Sequence, residues 1–200
     1  MDSSVRLSES DRILLVQLES PDDFPRLTRN VLHQLSGLLD GVATRTELRG
    51  VVFTGTATAF AAGADLEEVS ALTALEALRF SALGQGLMYR IERYRVPVVA
   101  AIRGYCLGGG FDLAMACHIR IAATDAVFGH PGGALGLVTG WGGTARLPRL
   151  LGNARALELL TTGQTISAEE AYAARLVNRL TSPDETISTA FEFLSHVSAG

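Results

Sequence analysis

Three consecutive glycines, with an acid two residues after them, form the part of the sequence with the clearest chemical meaning. Gly108, Gly109 and Gly110 precede Asp112 within the stretch GYCLGGGFDLAMA. Glycine is a poor helix former, yet the apolar residues that follow predict a helix. Backbone N–H groups at a helix start have no partner within the helix and attract negative charge. Glycine also lets a ligand approach the main chain closely. The triplet therefore predicts a site for an electronegative group.

Two kinds of ligand fit such a site: a phosphate, or a carbonyl oxygen that becomes negative during a reaction. A dinucleotide site would read G-x-G-x-x-G directly after a strand, with an acid much further along the chain. Here the glycines are contiguous and Asp112 follows the last of them by two residues, so that fit is poor. An oxyanion hole fits better, and each of its donors is worth roughly a hundred- to thousandfold in rate.

Composition limits the remaining chemistry. The chain has 200 residues, 48% of them hydrophobic and 19% charged, which is typical of one folded domain. Its net charge of −4 argues against nucleic acid and anionic membrane as partners. All 17 basic residues are Arg, so a lysine Schiff base and a P-loop are excluded.

The start of the chain and its cysteines indicate a cytoplasmic protein. The first ten residues, MDSSVRLSES, contain no apolar signal core, and no apolar run is long enough to span a bilayer. Cys106 and Cys117 match no metal motif and suit a reducing compartment. We therefore expect no metal site and no membrane partner.

A weak internal repeat organises the chain. Residues 50–69 and 97–116 share one order: buried strand, turn, small residues or glycines, acid, helix. Successive units of this kind predict a parallel sheet of the α/β class, with the turns at the carboxyl ends of the strands. Two such turns side by side would direct backbone N–H groups from two loops into one crevice.

Hydrophobic periodicity predicts the other elements. We expect a strand over 12–18, an amphipathic helix after Pro25 that includes Leu27, a long helix over 68–95, and two short strands about a turn within 118–130. A last helix is predicted over 184–197, with an exposed apolar face formed by Ile187, Phe191 and Leu194.

Several ordered motifs together carry a family resemblance. The segments AFAAGADLEEV, GYCLGGGFDLAMACHIRIAA and FGHPGGALGLVTGWGGTARLPRLLG resemble the enoyl-CoA hydratase/isomerase (crotonase) superfamily. The likeness covers most of the chain, from RILLVQL to SPDETI. It implies a crotonase-like spiral of repeated ββα units in one domain over 1–200, with a core at about 10–182 and a C-terminal helix at 183–200. It also implies a substrate that is an acyl-CoA thioester, with coenzyme A entering as part of the substrate and no separate cofactor.

The resemblance assigns the two oxyanion donors and shows that both glutamate positions of the family hold other residues here. The donors are the backbone amides of Ala64 and Gly109. The hydratases of the family place one glutamate two residues after the triplet and another directly after the FGxP turn. These positions hold Asp112, one methylene shorter, and Gly132, which cannot act as acid or base. General acid–base help is worth about 10² to 10⁴ in rate, so two-glutamate hydration is doubtful.

Several functions therefore stay open. We expect an enolate-stabilising enzyme of the hydration or isomerisation class, with Asp112 moving the proton. The alternatives are a single-carboxylate decarboxylase or thioesterase, and a non-catalytic acyl-CoA-binding or assembly protein. In the alternative interpretation of Asp112, it only complements the helix N-terminus.

Other residues are predicted to contact the substrate: Arg26, Ala62, Asp65, Leu66, Tyr105, Gly108, His130, Gly132 and Trp141. Five of them have a structural alternative. Asp65 would cap the following helix, His130 would bond backbone in a turn, and Trp141 would fill the core. Tyr105 would only satisfy its own buried hydroxyl, and Arg26 would be a solvated surface residue.

The resemblance also bears on assembly. Relatives continue past the end of this sequence into helices that cover the acyl pocket and help to build trimers. A homo-oligomer, a trimer by resemblance, is therefore expected, although the early end of the chain weakens that expectation.

Overall fold

The computed structural model describes residues 3–197, and a six-stranded sheet runs through its centre. Its order is β1-β2-β3-β5-β7-β10, with strands numbered along the chain. The first two strands are antiparallel and every later pair is parallel. The strands are β1 (Ser4–Ser10), β2 (Ile13–Glu19), β3 (Gly50–Thr54), β5 (Val98–Ile102), β7 (Ile119–Ala123) and β10 (Arg179–Thr181).

A second sheet of four short strands has the order β4-β6-β8-β9. Only its last pair is antiparallel. The strands are β4 (Ala59–Ala61), β6 (Tyr105–Leu107), β8 (Val127–Gly129) and β9 (Thr165–Ser167). Three times in succession the chain adds a strand to the first sheet, then one to the second, and then enters a helix. This is the predicted spiral of ββα units.

The helices surround the two sheets. Within residues 3–197 they are α1 (Arg29–Val42), α2 (Leu66–Ser70), α3 (Ala74–Glu92), α4 (Gly109–Ala116), α5 (Gly143–Leu151), α6 (Asn153–Thr162), α7 (Ala168–Ala173) and α8 (Thr186–Ser195), with 3₁₀ turns at Pro131–Leu135 and Pro183–Glu185. None of them is long and apolar enough to cross a membrane.

The central strands of the first sheet bury both of their faces. All five residues of β3 are buried, as are all five of β5. Because side chains alternate along a strand, Val51 and Phe53 enter the larger core, whereas Val52 enters a smaller cluster on the other face. The continuous apolar runs that predicted these strands follow from this double burial.

Three local features differ from the prediction. The helix expected over 68–95 is divided into α2 and α3, because Thr73 accepts a hydrogen bond from the Glu76 amide and forms a capping box that starts a new helix. Strand β1 was not predicted, because its mostly polar residues do not form a continuous apolar face. The first amphipathic helix begins at Arg29, after Leu27. The two short strands expected about a turn within 118–130 are present as β7 and β8, and each belongs to a different sheet.

The expectation of an exposed apolar face on the last helix is wrong. Leu194 is fully buried against the smaller cluster, and Ile187 and Phe191 pack beside it. Gly50 in β3 makes room for this contact, because a Cβ there would lie 2.6 Å from Leu194 Cδ2. Helix α8 therefore covers the back of the first sheet.

A buried arginine holds the end of the helix that carries Asp112. Arg120 lies in β7 and is 6% exposed. Its Nη1 donates to the carbonyls of Cys117 (2.7 Å) and Ala114 (3.3 Å), and its Nε donates to Leu176 (2.6 Å). The cation thus satisfies carbonyls at the C-terminal end of α4, where positive charge is favourable.

Arg120→Leu should lower the free energy of unfolding by about 3 kcal/mol, because it leaves buried carbonyls without donors. Urea denaturation followed by circular dichroism measures the change. Arg149→Leu is the control, since that side chain is 73% exposed and its replacement should cost less than about 0.5 kcal/mol. Equal losses in the two variants would contradict the assigned role of Arg120.

Candidate active site

Two loops meet at the edge where the strands of the second sheet end. One loop carries Gly63 after β4, and the other carries Gly108 after β6, its parallel neighbour. Both glycines have positive φ values, +99° and +51°. A Cβ on Gly63 would lie 3.1 Å from the Leu107 carbonyl oxygen and 3.2 Å from the Gly109 amide nitrogen. The loops therefore touch through bare backbone.

The amides of Ala64 and Gly109 are available to a ligand. Gly109 is the first residue of α4, so its N–H has no acceptor within the helix. Across residues 3–197, neither amide donates a hydrogen bond to another protein group. Both residues line the same cavity. The structure thus brings the two loops and their predicted donor residues to one cavity.

Gly109 and Gly110 of the triplet also allow close packing. A Cβ on Gly110 would lie 2.4 Å from the Ala61 carbonyl oxygen, and one on Gly109 would lie 2.2 Å from the Trp141 ring. Trp141 in turn packs edge-on against Phe80, with ring centroids 5.2 Å apart. Trp141 is thus both core and cavity wall, so the two interpretations of this residue are compatible.

The cavity has a volume of about 280 Å³ and is mostly apolar. The structure brings these predicted site residues together in its lining: Ala62, Ala64, Gly108, Gly109, Asp112, His130, Gly132 and Trp141. Its apolar wall comes from α2, α3 and the segment before α5, through Leu66, Val69, Leu72, Phe80 and Val138. An apolar cavity with a few convergent polar groups is the usual form of a small-molecule site.

Asp112 is the acid of this cavity, and burial dominates its electrostatics. The residue is 0% exposed. Its Oδ2 accepts a hydrogen bond from the Thr139 hydroxyl, and Oδ1 has no partner. Burial raises the pKa of Asp112 to about 6, against the opposing effects of the Thr139 hydrogen bond and the Arg146 charge. The carboxyl therefore exchanges its proton near neutral pH.

His130 lies beside Asp112 but does not form an ion pair with it. Its Nε2 is 3.6 Å from Asp112 Oδ1, which is too long for a hydrogen bond. Burial lowers the pKa of His130 to about 4, so the ring is neutral at pH 7. Neither ring nitrogen has a partner among the described residues. The backbone hydrogen bond that the sequence suggested for His130 is absent among the described residues. Its two ring nitrogens instead lie unpaired beside Asp112.

Gly132 leaves one side of the cavity without an acid. Of the described residues that line the cavity, Asp112 is the single carboxylate. The position itself has room, since a Cβ on Gly132 would meet only Leu137, at 3.4 Å and 3.5 Å. Residues 3–197 contain no group of three His, Cys, Asp or Glu that would hold a metal ion.

Three predicted contacts lie elsewhere. Tyr105 is 44% exposed, packs with its ring centroid 6.0 Å from that of Phe24, and does not line the cavity. Asp65 caps α2 by accepting from the Glu67 and Glu68 amides. Both Asp65 and Arg26 line an adjoining recess that shares Ala62, Ala64 and Leu66 with the cavity.

The adjoining recess is not strongly basic. Arg26 forms a 2.8 Å ion pair with Asp22, and Asp65 and Glu67 line the recess with them. Arg29 is 3.6 Å from Glu68. Contact between Arg26 and the substrate stays a prediction, and in the structure its guanidinium is paired with Asp22.

Thr139 is a polar residue of the cavity that the sequence interpretation missed. It lines the cavity and holds Asp112, yet it lies 27 residues further along the chain. Gly143 makes this approach feasible, because a Cβ there would lie 2.5 Å from Asp112 Oδ1 and 2.6 Å from Thr139 Cγ2. A hydroxyl within the glycine-rich stretch LVTGWGGT was the available signal.

The fold and the site define a class of protein: two ββα loops present free amides above a buried acid, an arrangement suited to a carbonyl compound whose oxygen becomes negative. The family model described as enoyl-CoA hydratase/isomerase matches residues 8–199. This chain belongs to the enoyl-CoA hydratase/isomerase family. The family and the fold class predicted from sequence are thereby confirmed.

Known relatives cover almost the whole chain. It is 35% identical over 98% of its length to the short-chain-enoyl-CoA hydratase of Clostridium acetobutylicum, of which it covers 75%. It is 37% identical over 92% of its length to the crotonyl-CoA hydratase of Syntrophomonas wolfei, of which it covers 71%. A crystal structure of enoyl-CoA hydratase from Bacillus anthracis matches with a TM-score of 0.91 and 33% identity, over 98% of this chain and 76% of that one.

The raised pKa of Asp112 predicts a pH-dependent stability. Because the folded pKa exceeds the value near 3.9 of a free Asp, the stabilisation is complete below about pH 4 and is lost as pH rises through 6. Asp112→Asn should therefore gain roughly 3 kcal/mol relative to the parent chain between pH 4 and pH 8. His130 has the opposite sign, since its pKa is lowered, and it masks the effect in the parent chain.

Urea denaturation at pH 4, 6 and 8 measures this difference. Glu169→Gln is the control, because Glu169 is an exposed carboxylate of α7. Its difference from the parent chain should stay near zero at each pH. A flat difference for Asp112→Asn would show that burial does not perturb this acid.

Proposed function

We propose that this protein is an enzyme that binds an acyl-CoA thioester and stabilises the enolate formed from it. The Ala64 and Gly109 amides receive the thioester oxygen, and Asp112 supplies the titratable group that moves the proton. The observation that supports this most directly is the pair of unused amides opening on the same cavity as one buried acid. Each such donor contributes roughly a hundred- to thousandfold in rate.

The number of carboxylates in the cavity bears on which reaction of the family this chain can catalyse. Hydration has to activate a water and also exchange a proton with a substrate carbon. Moving a double bond from C3 to C2 needs one group, which removes the proton at Cα and returns it at Cγ. With Asp112 as the single carboxylate of the described lining, double-bond isomerisation fits better than hydration. The proposed chemistry requires no cofactor beyond the coenzyme A of the substrate.

One observation favours a second candidate, an acyl-CoA-binding protein without turnover. Asp112 is 0% exposed and Gly132 has no side chain, so a bound acyl chain would meet little that can react with it. The same experiment tests both candidates.

The purified protein should isomerise a 3-enoyl-CoA at least tenfold faster than it hydrates crotonyl-CoA. Thioester absorbance follows both reactions. Asp112→Asn should lower the isomerisation rate by about 10² to 10⁴, because the amide cannot take up the proton. The rate of the parent chain should rise with pH through about 6 as Asp112 ionises. Tight binding of both thioesters without turnover would favour the binding protein.

Restoring a carboxylate at position 132 should raise hydration. Gly132→Glu should hydrate crotonyl-CoA at least tenfold faster than the parent chain, since the space around Gly132 admits a side chain and general base help is worth about 10² or more. Gly132→Gln is the matched control, with nearly the same size and no basic oxygen. Equal rates in the two variants would mean that the acid missing at this position is not what limits hydration.

A further inference from the structure

Asp112 is placed where its own oxygens do not reach the open part of the cavity. The residue is 0% exposed, and Oδ1 has less than 1 Å² of exposed surface. Oδ1 is enclosed by Gly143 and His130, since a Cβ on Gly143 would lie 2.5 Å from it and His130 Nε2 lies 3.6 Å away. The other oxygen, Oδ2, is covered by the Thr139 hydroxyl. Neighbouring residues therefore cover both carboxyl oxygens of Asp112, although the residue belongs to the cavity lining.

Thr139 is the group between the acid and the cavity. It is half-buried, it lines the cavity, and its Oγ1 donates to Asp112 Oδ2. An aspartate is one methylene shorter than a glutamate, which costs about 1.5 Å of reach. A hydroxyl hydrogen-bonded to the carboxylate adds a comparable length in the direction of the cavity. The threonine thus supplies the reach that the shorter acid lacks.

We propose that the Thr139 hydroxyl touches the substrate and passes the proton between a substrate carbon and Asp112. In the forward step the Cα–H bond breaks, the proton goes to Thr139 Oγ1, and the hydroxyl proton of Thr139 moves to Asp112 Oδ2. The electron pair of the broken bond moves into the thioester, whose oxygen becomes negative. Return of the proton reverses these transfers, so no atom or electron is gained or lost. The inference rests on the proposed function and deepens it.

Deuterium uptake at Cα of butyryl-CoA in D₂O measures this step alone, because butyryl-CoA has no double bond to hydrate or move. Thr139→Val keeps the shape of the side chain and removes its hydroxyl, and should lower the exchange rate by at least 100-fold. Thr139→Ser keeps the hydroxyl and should stay within about tenfold of the parent chain. Exchange by Thr139→Val within threefold of the parent rate would overturn the relay.

Thr139→Asn separates a relay from a purely orienting role. The amide can donate a hydrogen bond to Asp112, but it cannot take up a proton and pass it on. Exchange as slow as in Thr139→Val supports the relay, and exchange as fast as in Thr139→Ser overturns it in favour of orientation. Thermal unfolding of each variant checks that the fold is retained.

The exchange experiment distinguishes failure of the Thr139 relay from failure of the proposed function. If the parent chain binds butyryl-CoA without exchange, or if Asp112→Asn exchanges at the parent rate, the proposed function fails and the relay with it. If Asp112→Asn abolishes exchange while Thr139→Val retains it, only the relay is overturned.

Discussion

The whole site depends on a contact between two backbones. Gly63 and the start of α4 approach so closely that a single Cβ on Gly63 would lie 3.2 Å from the Gly109 nitrogen. The parallel pairing of β4 and β6 sets this distance, because it delivers both loops to the same edge of the second sheet. Helix α4 then begins at the contact and carries Asp112 one turn further along. The position of the acid relative to the amides therefore follows from strand pairing and from the missing side chains, and the apolar core holds both loops in place.

The pKa of Asp112 results from opposing effects of its burial and of its neighbours. Burial favours the neutral carboxyl, whereas the Thr139 hydroxyl, the Arg146 charge and the start of α5 favour the carboxylate. Burial is the largest effect, and the pKa lies near 6 as a result. A fully solvated carboxylate would be a weak base at neutral pH, and an isolated buried one would stay protonated. The intermediate value suits a group that must both take up and release a proton. His130 stays neutral beside it and adds no charge that would oppose either state.

The sequence was sufficient for the features that depend on local chemistry. Glycines with an acid after a buried strand indicated the two loops, and the apolar runs of β3 and β5 indicated a parallel sheet, because both depend on residues adjacent in the chain. Features that depend on distant contacts were missed or wrong. The Thr139 hydrogen bond joins residues 27 positions apart, and the burial of Leu194 depends on the space above Gly50. The division of α2 from α3 was a local error, since the Thr73–Glu76 capping box was readable in the sequence.

Gly132 and the burial of Asp112 together limit which groups of the cavity can exchange a proton with a substrate. With one carboxylate in the described lining, the isomerisation proposed above would require the group that removes a proton also to return it. Such a group has to face two carbons of the same substrate in turn, and a rigid side chain buried below the surface cannot do so alone. A hydroxyl on a short side chain at the cavity wall can rotate between two carbons while its hydrogen-bonded acid remains fixed. Thr139 lies in the segment 136–140, which follows the 3₁₀ turn and of which residues 137–140 line the cavity. In the proposed relay, the same segment would provide both apolar wall for the acyl chain and the hydroxyl bonded to the acid, and would thereby couple substrate placement to proton transfer.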